Sequence, residues 1–96
     1  MKLWKISQSV EERPYFYDSA VVAATDEVTA QYIHPGSREP DEIMWLDGAW
    51  HQFSPALLEA RPRLHECWVS PEHVSVEFIG ETSNFVSGTV IVGSMQ

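Results

Sequence analysis

Basic side chains are scarce in this chain: six lysines and arginines stand against fourteen aspartates and glutamates, a net charge of −8 over 96 residues. That charge repels nucleic acid and anionic membrane surfaces, so no direct nucleic-acid or membrane contact is expected, and a basic partner is the natural complement. Cysteine is scarcer still. Cys67 stands alone, which excludes an internal disulfide and gives no support for an oxidising compartment, so the cytosol is the expected location. No stretch approaches the ~20 apolar residues of a membrane-spanning helix, and the opening Met1-Lys2-Leu3-Trp4-Lys5-Ile6 lacks the apolar run of a signal peptide. Gly-x-Gly-x-x-Gly, phosphate-loop and Gly-x-Ser-x-Gly patterns are missing, as are Cys-x-x-Cys and His-Glu-x-x-His. Nothing in the motifs calls for a cofactor, and a non-enzymatic protein is expected.

Apolar residues are plentiful: 44% of the chain, with four tryptophans, is enough for one modest core. With no composition break, residues 1–96 read as a single domain. The clearest local unit is Tyr17 to Pro35. Asp18 to Ala24 is apolar on both faces and reads as a central strand. Thr25, whose hydroxyl can accept from first-turn N–H groups, then opens a short helix over Asp26 to His34, which Pro35 stops. The spacing of Val28, Tyr32 and Ile33 places them on one face, toward a sheet. Residues 2 to 7 alternate as a first strand, with Trp4 and Ile6 on one side. Residues 8 to 16 form a loop, in which Tyr15, Phe16 and Tyr17 either cover the core or present a contact patch.

From Pro35 to Pro71 periodicity is weak. Asp47-Gly48 between Trp45 and Trp50 predicts a small hairpin pairing Ile43 to Leu46 with Ala49 to Phe53. Ser54-Pro55 followed by Ala56 to Arg61 reads as a short helix. The tryptophans of this irregular segment are expected to build a second small core or, failing that, an interface. His73 to Gly80 is the best-marked strand, and Phe85 to Ser94 is expected to return beside it as an antiparallel hairpin. The expected fold is α+β: an antiparallel sheet of about four strands, one short helix against it, and an irregular Trp-rich middle segment.

Two constellations could carry function. The acidic run with its tryptophan, Glu39, Asp41, Glu42, Trp45 and Asp47, could present carboxylates to a basic groove as a phosphate backbone does. The alternative is His65, Cys67 and His73, three donors for a metal or a thiol with neighbouring bases, although their spacing fits no established zinc pattern and Glu66 opposes a lowered thiol pKa. A third reading, a structural or assembly accessory protein, rests on pairing of edge strands.

The residues Met1-Lys2-Leu3 with Ile6-Ser7-Gln8, Tyr17-Asp18-Ser19-Ala20-Val21-Val22-Ala23-Ala24, Ile33-His34-Pro35, and Trp68-Val69-Ser70-Pro71 before Val74-x-Val76-x-x-Ile79-Gly80-Glu81 together resemble small phage and prophage proteins of unassigned function. The resemblance covers about two thirds of the chain and is weakest from Gly36 to Glu66. It implies an accessory protein of the class that includes anti-CRISPR inhibitors: non-catalytic, present in the bacterial host cytosol, monomeric or homodimeric. Its expected partner is a host protein complex that binds nucleic acid.

Overall fold

The computed structural model describes residues 1–62 and 67–96. Within these residues seven strands and one helix follow in the order β1 (Lys2–Ser7), β2 (Tyr17–Ala24), α1 (Glu27–Gln31), β3 (Ile43–Leu46), β4 (Ala49–Ser54), β5 (Glu59–Pro62), β6 (Ser75–Glu81) and β7 (Val90–Met95), with a 3-10 turn at Pro71–His73. They form two antiparallel sheets, of four strands in the order β6-β1-β2-β7 and of three in the order β3-β4-β5. The α+β class is as expected; the single sheet is not, because part of the segment read as irregular builds a sheet of its own.

The large sheet grows from alternation. Trp4 and Ile6 lie opposite Val22 and Ala20 across β1 and β2, and opposite Phe78 and Val76 across β1 and β6. One face is thereby apolar, with the Trp4 and Phe78 rings edge to face at 5.5 Å. The central placement of β2 agrees with its apolar composition. The pairing of β6 with β7 does not occur: they sit at opposite edges. Alternation marks a strand without naming its neighbour, and the eight residues between Glu81 and Val90 are enough to cross the ends of β1 and β2, about 14 Å at the usual strand spacing. The last strand also begins later than expected, at Val90 rather than Phe85.

The helix is shorter than the sequence suggests, five residues, and Asp26 rather than Thr25 caps it. Asp26 Oδ1 accepts from the Thr29 backbone N–H at 2.8 Å. The buried side is formed by Ala30 and Ile33, whereas Val28 and Tyr32 face solvent. A single turn and a half buries only a narrow stripe, and the small Ala30 is the residue that lets the turn lie against β2, as the alanines of that strand also require. The backbone N–H of Thr29 holds the Asp26 carboxyl below its ordinary range. A carboxylate with a lowered folded pKa stabilises above its unfolded pKa, and that contribution is lost as pH falls through the folded value. Asp26→Ala should therefore lower the melting temperature at neutral pH, and its deficit against the wild type should shrink below about pH 4, where the unfolded carboxyl titrates. Thermal scans at several pH values measure both.

The Asp47-Gly48 hairpin forms as expected. Both residues have positive φ, 49° and 77°, the type I′ geometry that suits a two-residue turn between twisted strands. The helix expected over Ser54 to Arg61 is replaced by a four-residue connection and β5, which pairs Ser54 with Glu59 and Gln52 with Arg61. Leu58 stands in the left-handed region at φ 53°, which breaks any helix there. A helix would also have needed an apolar surface for Leu57 and Leu58, and both are exposed.

Among the described residues the buried apolar side chains form one core instead of two. Trp50, Trp68, Val69, Val74 and Ile43 join Trp4, Ile6, Ala20, Val22, Ala24, Ala30 and Ile33 in one cluster. His34 is buried within it, with its ring edge to face against Trp50 at 5.0 Å and its Nδ1 accepting from the Gly36 N–H at 2.9 Å. Phe16 and Tyr17 cover the core edge; Tyr15 points outward, 76% exposed.

Candidate interaction surface

The segment from His34 to Glu42 has no regular structure, and a few bonds hold it. The Ile43 N–H donates to the buried Ser37 Oγ at 3.2 Å, and the Ser37 N–H donates to the His34 carbonyl at 3.0 Å. A turn follows in which the Glu42 N–H donates to the Glu39 carbonyl, with Asp41 at φ 62°. Its tip therefore projects Glu39, Pro40 and Asp41 outward, while the Glu42 carbonyl accepts from the Phe53 N–H of the neighbouring strand at 2.9 Å.

Three of the five expected contact residues meet here. Glu39, Asp41 and Glu42 line one wall of an open groove, with Phe53, Pro55 and Leu57 supplying apolar surface. Glu42 is already engaged: its carboxylate lies 3.4 Å from Arg38 Nε and accepts from the Arg38 N–H at 3.3 Å. The other two expected residues are elsewhere. Trp45 packs edge to face on Trp50 at 5.2 Å and lines a second groove with Tyr15, Phe16 and Trp68. Asp47 occupies the hairpin turn, five residues from Glu42 and roughly 16 Å away along an extended strand. One sequence-local patch is thus divided by the pleat and length of β3.

No protein-family model, curated protein or solved structure matches this chain. The site is accordingly read from its own chemistry.

Of the alternative constellation, Cys67 and His73 line the second groove together, and His65 lies outside the described residues. Among the described residues no group of three His, Cys, Asp or Glu side chains is placed to hold a metal.

Most of the charge pairing was not evident from the sequence alone. Arg13 binds Glu11 at 2.8 Å, Arg38 binds Glu42, and Arg61 binds Glu59 at 2.6 Å. Lys5 stands opposite Glu77 and Lys2 opposite Glu81 across β1 and β6. Every described lysine and arginine therefore has an acidic neighbour; Glu39 and Asp41 form no ion pair with a described residue, although Arg38 and Arg61, each paired with another glutamate, line the same groove. Two residues at spacing i, i+4 such as Arg38 and Glu42 were a readable signal; the exposed Phe53 and Leu57 were not, since their exposure depends on the unexpected β5.

Proposed function

We propose that this protein is a non-catalytic binding module that occupies a basic surface of a protein partner with its uncompensated carboxylates. The partner class implied by the resemblance is a nucleic-acid-binding complex of a bacterial host, and the module acts there as a cytosolic inhibitor of the anti-CRISPR kind. The observation that carries the reading is that Arg38 and Arg61, which line the groove, are each paired, with Glu42 and Glu59, while Glu39 and Asp41 stand exposed and outside any ion pair among the described residues, beside apolar Phe53 and Leu57. An apolar centre with a charged rim is the composition of a protein interface, and like-charged partners are rejected by it.

The test is capture of host protein complexes by the tagged chain, followed by elution at raised salt. Glu39→Lys with Asp41→Asn, an exchange that the φ of 62° at Asp41 tolerates, should reduce capture by about tenfold or more while the melting temperature stays near that of the wild type. Glu42 is left intact because reversing it would place a second cation against Arg38 and confound binding with folding. Unchanged capture by the double variant would remove Glu39 and Asp41 from the interface, and capture insensitive to salt would remove the electrostatic reading altogether.

A further inference from the structure

Fifteen consecutive residues, Thr82 to Gln96, carry no charged side chain, in a chain with twenty Lys, Arg, Asp and Glu elsewhere. They contain β7, an edge strand of the large sheet that among the described residues pairs with β2 alone. The half of its backbone N–H and C=O groups that points away from β2 has no backbone partner among the described residues. Its side chains Ile91, Val92 and Met95 are exposed, Val92 by 57%.

The other three sheet edges are guarded. β6 carries Glu77 and Glu81, β5 carries Glu59, Arg61 and Pro62, and β3 is four residues long, flanked by Glu42 and Asp47. Charge, proline, shortness and bulges are devices that keep an edge from pairing with another strand, and β7 has only the last of them. On β7 only bulges opposite Tyr17 to Ser19 and Val21 to Val22 interrupt the ladder, and no charge or proline blocks it.

We propose that β7 pairs antiparallel with β7 of a second copy of this chain about a two-fold axis, joining two four-stranded sheets into one of eight. The occupant follows from charge. Two copies, each at −8, repel over most of their surfaces, and β7 is the edge at which they can meet without bringing carboxylates together. An isologous contact further requires a patch complementary to itself, and an uncharged, β-branched, antiparallel strand meets that requirement. Pro40, between Glu39 and Asp41, packs against Gly88 just before β7, so the test of the dimer alters Val92 alone and leaves both carboxylates in place.

Sedimentation velocity across a concentration series tests it. The wild type should reach twice the 10.9 kDa chain mass. The dimer should tighten several-fold at 1 M salt, where the screening length is about 3 Å, relative to 0.1 M, where it is about 10 Å. Val92→Glu should remain monomeric, and Val92→Thr should still dimerise. A wild type that stays monomeric at its highest soluble concentration overturns the proposal, as does a dimer that weakens with salt or survives Val92→Glu unchanged. Should Val92→Glu fail to fold, amide hydrogen exchange of the wild type decides: β7 amides directed away from β2 should exchange more slowly as concentration rises, and exchange independent of concentration overturns it.

Discussion

Trp50→Ala should unfold a large fraction of the protein at room temperature or bring its urea midpoint close to zero. Trp50 is fully buried, meets the His34 and Trp45 rings edge to face, and donates its indole N–H to the Val69 carbonyl at 3.0 Å. Truncating a buried aromatic costs about 3–5 kcal/mol, a large part of the roughly 5–15 kcal/mol by which a domain is stable. Trp50 is also where β4 meets the segment that follows β5, so the loss falls on the joint between the two sheets. A comparison of conservative variants isolates the hydrogen bond. Trp50→Phe leaves the Val69 carbonyl without its donor, whereas the buried indole nitrogen of Trp68 has no acceptor among the described residues. Trp68→Phe should therefore be the milder change by about 1–3 kcal/mol, the cost of an unpaired buried group. Equilibrium urea unfolding of both variants measures the difference.

Gln8→Glu should destabilise more than its near-identical shape suggests. Gln8 is buried and uses both ends of its amide: Nε2 donates to the Glu11 and Tyr17 carbonyls, each at 2.9 Å, and Oε1 accepts from the Val10 and Glu11 N–H groups, each at 2.8 Å. A carboxylate keeps the second pair and turns the first into contacts between a negative oxygen and two carbonyl oxygens. The expected cost is at least about 1–3 kcal/mol at neutral pH. It should diminish as pH falls and the introduced carboxyl gains a proton that it can donate to one carbonyl. Urea midpoints at pH 7 and at acid pH, each referred to the wild type at the same pH, give the answer. A variant as stable as the wild type at neutral pH would show that the 8–16 loop does not depend on this amide.

Gln8 also marks the kind of feature that sequence pattern conceals. A glutamine at the end of a strand looks like a polar surface residue, and only the return of the chain at Tyr17 places two carbonyls within its reach. The acidic site is similar. Glu39, Asp41 and Glu42 were legible as one cluster because they are adjacent in sequence and meet in one groove. Trp45 and Asp47 were grouped with them by proximity along the chain, but the two-residue pleat of β3 and its length send them to other surfaces.

By itself the sequence determined the local elements whose stability is local: the alternating strand at residues 2–7, the strand apolar on both faces from Asp18 to Ala24, the Asp47-Gly48 turn, and a helix start near Asp26. It determined as well the acidic balance and the uncharged stretch from Thr82 onward, which are sums over residues and need no fold. The tertiary structure decided which strands became neighbours, because each strand can pair with any other that offers a backbone ladder and an apolar face. That choice put β6 and β7 at opposite edges and turned 54–62 into a hairpin arm instead of a helix. It also gathered Trp4, Trp50 and Trp68 into one core, where burying apolar surface together removes more of it from water than two small clusters would.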